Sequence, residues 1–511
     1  MSRSLFAKKP LHVLLAEMEG ESRLRRILGP VQLTSLGVGA IIGTGIFVLT
    51  GVAAHNKTGP ALMLSFVISG LACIFAALCY AEFASMVPVA GSAYTYAYAT
   101  LGELLAWIVG WDLVLEYAVA SATVAHGWSH YFQDLIQLFG WTMFAPGQAL
   151  EKYSNSPIDF DTASGHIVRT IYSFDLPALL ISVIITIVLV KGIRESATFN
   201  AAMVAVKVAI VFFVIAVGAM YVDPRNWHPF APFGFGGLTF FGKTVWGQTS
   251  SGGEPLGVMA GAATIFFAYI GFDSISTHAE EAKNPKRDVP IGIIASLALC
   301  TVLYIAVSAV LTGMVPYNKI AIDAPVSNAF TQVGLPWARY LVSFGALTGI
   351  TSVLLVMMLS QPRILLAMAR DGLLPASFFG AVHERFRTPW KSTILVGIFV
   401  SILASFLPLA ILADLVNIGT LLAFVIVCGA VLIMRKTNPN AERPFRAPLG
   451  MFVPIAGIVI CLLLMFSLPK ENWYRLVIWL GIGLLIYFGY GRQHSVMAQI
   501  EAKAATKVRH R

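Results

Sequence analysis

Charge is what this sequence has least of. Only 12% of its 511 residues are Asp, Glu, Lys or Arg, against roughly 25% in a soluble domain. Cysteine is also scarce. Cys73, Cys79, Cys300, Cys428 and Cys461 all fall inside apolar runs and none forms a C-x-x-C pair, which excludes a disulfide scaffold and a zinc or redox site built on that spacing. They read as buried reduced thiols. No phosphate-binding loop is present, so an ATP-driven pump is not expected. No group of His, Cys and carboxylates has metal-site spacing, and no metal or organic cofactor is expected. The first thirty residues lack the compact apolar core and small-residue cleavage site of a signal peptide, so the first apolar span is expected to be retained.

What the sequence has instead is apolar length. It is 57% hydrophobic, and runs of about 20 apolar residues recur along it, as crossing a bilayer by helices requires. Their centres lie near residues 42, 72, 117, 183, 210, 267, 302, 352, 398, 423, 459 and 481. The expected fold is therefore an all-α integral membrane protein of twelve transmembrane helices. An even count puts both ends on one side. With the N-terminus cytoplasmic, most of the 35 Lys and Arg fall in inner loops and termini, as the positive-inside rule requires. The same bias explains the net charge of +9. The basic tail Lys503, Lys507, Arg509 and Arg511 reads as topological excess attracted to anionic lipid, and not as a nucleic-acid patch.

Two spans are unlike the others. The first carries Gly37, Gly39, Gly43 and Gly45 with Thr44 between the last pair, and each interior glycine costs a helix roughly 1 kcal/mol. The sixth carries Gly271 and Asp273 in mid-span, an expensive choice in hydrocarbon. Breaks are expected around Ile42 to Gly45 and Tyr269 to Gly271. First and sixth of twelve is the spacing of two five-helix inverted repeats. The expected organisation is a cytoplasmic segment 1–29, a first repeat 30–222, an inverted second repeat 256–435, helices eleven and twelve over 451–491, and the basic cytoplasmic tail 492–511.

A helix broken inside hydrocarbon frees backbone N–H and C=O groups that must find polar partners. The freed amides around Gly43, Thr44 and Gly45 suit a carboxylate, aided by the positive end of the outer half-helix. The freed carbonyls around Ile41, Phe267, Ala268 and Ile270 suit an ammonium. Donors on one side and acceptors on the other shape a cavity for a zwitterion such as an α-amino acid. In that arrangement the absent side chain of Gly43 leaves the room that the carboxylate needs.

The run Gly39-Ala40-Ile41-Ile42-Gly43-Thr44-Gly45-Ile46-Phe47 resembles the first-helix signature of the amino acid–polyamine–organocation transporters, and Glu82 with Pro88, Gly91, Ser92, Tyr94 and Tyr96 resembles their second. Phe267 to Asp273, the stretch Glu280 to Ile293 and Arg370 to Pro375 extend the likeness over about residues 20 to 495. It is strongest to bacterial members of the cationic amino acid transporter branch. The resemblance implies a LeuT-like 5+5 fold with two extra helices, alternating access, and a substrate backbone held at Ile41, Thr44, Gly45, Phe267 and Ile270. It places Met357, in the eighth span, beside the substrate side chain, where its bulk would disfavour a long cationic one.

Lys207 is the only charge in the fifth span and must find partners inside the bundle. In sodium-coupled relatives of this fold a cation sits between the first and eighth helices. A fifth-helix lysine at the matching place implies an ammonium in that role, with the proton as coupling ion. To release protons near neutrality a lysine must fall far below its reference value of about 10.4. The alternative is a permanently charged lysine that only holds helices together. Glu116 lies one turn beyond Asp112 in the third span, so the two carboxylates share a face, and Glu116 is the better-placed proton carrier. His126 and His278 read as packing or interface residues. The expected protein is not an enzyme but a proton-coupled importer of L-amino acids in the cell membrane, favouring small neutral substrates such as alanine. A cationic amino acid transporter or an exchanger on the same fold is the nearest alternative, and a non-transporting nutrient receptor is more remote. The expected partners are an L-amino acid and membrane lipid.

Overall fold

The computed structural model describes residues 5–9 and 28–499, apart from 88–91, 146, 156–157, 162–165, 170–173, 192–196, 241–242, 252, 387 and 498. Pro88 and Gly91 of the second signature, and most of the two terminal segments, lie outside the described residues.

The chain is mostly helical. In order come α1 (Pro30–Ile41), α2 (Leu62–Met86), α3 (Ser92–Thr100), α4 (Glu103–Leu138), α5 (Leu176–Lys191), α6 (Ala197–Gly218), α7 (Val258–Ile265), α8 (Pro285–Met314), α9 (Pro325–Gln332), α10 (Pro336–Arg370), α11 (Trp390–Phe406), α12 (Leu409–Thr437), α13 (Phe452–Phe466) and α14 (Lys470–Ile486). Between α1 and α2 the chain winds through π turns at Gly45–Leu49 and Ala54–Thr58. Three short antiparallel ribbons lie in the connections, two of them in the segment between α6 and α7.

Eight helical segments among the described residues are long and apolar enough to cross a membrane, and four shorter apolar helices join them. The packing sorts them into an inside and an outside. α4 and α10 pack along each other, α8 lies on α2 and α1, and α12 lies on α4. By contrast α5, α11, α13 and α14 turn large apolar side chains outward, among them Ile184, Ile398, Val459, Val477 and Leu485. An apolar surface of that extent suits hydrocarbon as its solvent.

Several of the charged groups that lie inside are paired. Glu82 at the end of α2 accepts from the Arg435 Nε at 3.0 Å and the Ala447 amide at 2.9 Å, with Arg443 at 3.4 Å. That clamp draws the connection between α12 and α13 under α2. Lys9 reaches Asp371, just past α10, at 2.8 Å, and Asp371 also accepts from the Tyr94 hydroxyl at 2.6 Å. The Val496 amide bonds the Asp371 carbonyl at 3.0 Å. Segments near both ends of the chain therefore converge on one residue.

Candidate functional site: two facing helix breaks

α1 stops where expected. Ile42 turns extended (φ −73°, ψ 104°), its amide still bonded to Val38 O, and the chain resumes helical winding at Gly45. Among the described residues, the amides of Gly43, Thr44 and Gly45 take no backbone acceptor. The second break follows a change of pitch. Phe266 N–H bonds Ala262 O, four residues back, whereas Ile270 N–H bonds Phe267 O, three back, at 3.1 Å. Ile270 then turns extended, and Gly271 adopts φ +119°, a conformation that L side chains rarely reach. Space enforces the same choice. A Cβ on Gly271 would sit 2.9 Å from Ala40 O and 3.0 Å from the Met357 Cε.

The two breaks touch. A Cβ on Gly45 would lie 2.3 Å from Ala268 Cα, so the chains meet backbone to backbone. None of Ile41, Thr44, Phe267, Ala268, Ile270 and Met357 is more than 6% exposed. Eight of the ten residues named from the sequence, Ile41, Gly43, Thr44, Gly45, Phe267, Ala268, Ile270 and Met357, thus lie at or against the paired breaks. Met357 reaches the second break through Gly271.

The packing adds detail to two expectations. A side chain at Gly43 would meet Val353 Cγ2 of α10 at 2.7 Å, so close packing on α10 by itself calls for a glycine here. The four carbonyls are also not all free. Phe267 O is taken by the Ile270 amide, and the Tyr304 hydroxyl stands 2.8 Å from Ile41 O and 2.9 Å from Ala268 O. One hydroxyl proton serves one acceptor at a time, and each carbonyl keeps a second lone pair. Acceptor capacity for a further donor therefore remains at both.

Lys207 does what the charge argument required. Its ammonium donates to Gly39 O, to Ile42 O at 3.1 Å and to Ser352 Oγ at 2.8 Å, so its three protons meet three acceptors. These bonds tie α6 to the broken end of α1 and to α10. Glu116 stands apart from it. Fully buried on α4, neither Glu116 oxygen nor either Asp112 oxygen has a partner among the described residues. Nearby, Asp273 accepts from the Tyr117 hydroxyl at 2.6 Å. His278 accepts from Arg363 through Nε2 at 2.7 Å and faces Ser274 O through Nδ1 at 2.8 Å, which makes it an interface residue between α10 and the end of the broken segment. His126 lies 3.0 Å from Asp175.

Sequence reading missed two groups. Tyr304 in α8 and Asn417 in α12 both bond carbonyls beside the second break, Asn417 through Nδ2 to Ala263 O at 2.8 Å and Thr264 O at 3.1 Å. The available signal was weak: a tyrosine and an asparagine in two mainly apolar runs that hold other polar side chains as well.

Comparison with known proteins agrees with this architecture. The family model described as amino acid permease matches residues 28–487. The chain is 46% identical over 494 residues to the methylthioribose transporter of Bacillus subtilis (strain 168), covering 97% of this chain and 99% of that protein. It is 46% identical over 500 residues to the branched-chain amino acid permease BcaP of the same organism, covering 98% and 100%. The vacuolar cationic amino acid transporter 4 of Arabidopsis thaliana is 40% identical over 434 residues, 84% of this chain and 66% of that protein. The chain belongs to the amino acid permease family, within the amino acid–polyamine–organocation superfamily, and is a multi-pass membrane permease.

Proposed function

We propose that this permease is a secondary active transporter that imports neutral L-amino acids together with protons by alternating access. The paired breaks carry the reading. Free amides at Gly43 to Gly45 face acceptor capacity at Ile41 O and Ala268 O, donors and acceptors a zwitterion needs. The eight long apolar segments and the four shorter helices make twelve spans when the outer half 45–58 is counted with α1. That count supports a LeuT-like 5+5 inverted repeat with two further helices, repeats at 30–222 and 256–435, and both termini cytoplasmic in the cell membrane.

Small neutral substrates such as alanine fit a pocket restricted by Met357. Branched-chain amino acids join the same panel because a relative of equal identity carries that name, and methylthioribose joins it for the same reason. Lys207 is the coupling residue in this reading, its charged form bound to three acceptors and its neutral form unable to hold them all, and Glu116 is the proton carrier. A second reading, transport of cationic amino acids, is favoured by one observation: the buried carboxylates of Asp112 and Glu116 lack partners and would suit a cationic side chain. The test is uptake into proteoliposomes with labelled alanine, leucine, arginine and methylthioribose, with and without an inward proton gradient. Accumulation of alanine or leucine only under the gradient is the expected result. Gradient-independent uptake, or preference for arginine or methylthioribose, would overturn the respective part.

A further inference from the structure

The second break has a carbonyl problem of its own. In a regular α-helix, Ala263 O would accept from the Phe267 amide and Thr264 O from the Ala268 amide. The chain tightens to three-residue winding at Phe266–Tyr269, which alters that pairing. Asn417 sits at the point of change. Fully buried on α12, it donates both Nδ2 protons to these same two carbonyls. Its Oδ1 has no partner among the described residues, so the amide orientation is set by donation alone. Thr264 is held from the other side as well: its hydroxyl accepts from Lys57 Nζ, in the outer half of the first broken segment, at 3.1 Å. Three separate stretches of chain therefore meet on one turn of α7.

We propose that Asn417 is a positioning residue for transport: by donating to Ala263 O and Thr264 O, the carbonyls that the tightened turn deprives of their i+4 amides, it stabilises the pitch change that aims Phe267, Ala268 and Ile270 at the substrate. Without those two donors the turn rewinds to α-helix. Rewinding rotates the residues that follow by a fraction of a turn and withdraws Ala268 O from Tyr304. The inference deepens the proposed function and rests on its assignment of substrate to the breaks.

Asn417→Leu keeps the shape and removes both donors, whereas Asn417→Ser is a milder change that is short of reach and spares the fold. Purified protein in proteoliposomes should show half-saturating alanine or leucine concentration raised on the order of tenfold, with maximal rate changed far less and melting temperature close to the parent's. A structure of Asn417→Leu should show Ile270 at helical dihedrals. Parent-like half-saturation in both folded variants would overturn the proposal, as would an unchanged pitch in the variant structure. That second readout needs no transport. If the parent itself takes up no amino acid, the proposed function fails, and the structural comparison still decides the role of Asn417.

Discussion

Gly45 and Ala268 meet with no side chain between them. A Cβ on Gly45 would fall 2.3 Å from the Ala268 Cα and 2.5 Å from its Cβ, contacts that no small rotation relieves because both are on stiff backbone. Gly45→Ala should therefore push the two breaks apart. The expected cost is about 1–3 kcal/mol of stability, the usual scale for overpacking, together with loss of substrate binding. Thermal unfolding and equilibrium binding of the purified variant check both parts, and parent-like binding would separate the site from this contact.

Replacing Lys207 with Met keeps most of the apolar stem and removes three donors. Gly39 O, Ile42 O and Ser352 Oγ then lose their common partner, at about 1–3 kcal/mol for each group left unsatisfied. Gradient-driven accumulation should disappear. Sodium should be dispensable for the parent at constant proton gradient. Uptake by Lys207→Met that still concentrates substrate would rule out the coupling role.

Tyr304→Phe deletes one hydroxyl that stands within 2.9 Å of both Ile41 O and Ala268 O. One net hydrogen bond is worth about 0.5–1.5 kcal/mol, so affinity should fall roughly two- to tenfold. Isothermal titration measures this directly. Tighter binding would mean that the hydroxyl competes with the substrate ammonium.

Met357→Ser should open space beside Gly271, where the Met357 methyl now lies 3.0 Å from the position of a Cβ. Competition uptake should show arginine gaining on alanine. A parent that already prefers arginine would sink this argument and the neutral preference together.

Much of this site was legible before any coordinates. Glycine in the wrong place is a local signal, so both breaks could be located from composition, and a lone lysine in an apolar run must find acceptors wherever the helices go. What could not be read is which distant groups supply the partners. Tyr304 is 263 residues from Ile41, and Asn417 is 154 from Ala263. Their roles exist only once α8 and α12 are packed against the breaks. The neighbour of Gly43 was hidden for the same reason: glycine content marks an interruption, but only packing on Val353 says what the missing side chain would have touched.

The burial of the walls between the breaks has a kinetic consequence. When no wall residue named above is more than 6% exposed, a solute cannot arrive by diffusion alone; a door must move first, and the arrangement described here is a closed one. Association should then follow opening, so that in a stopped-flow experiment the observed rate climbs with solute concentration only until it meets the opening rate and goes flat. The height of that plateau belongs to the protein and not to its cargo, and two solutes of very different affinity should share it.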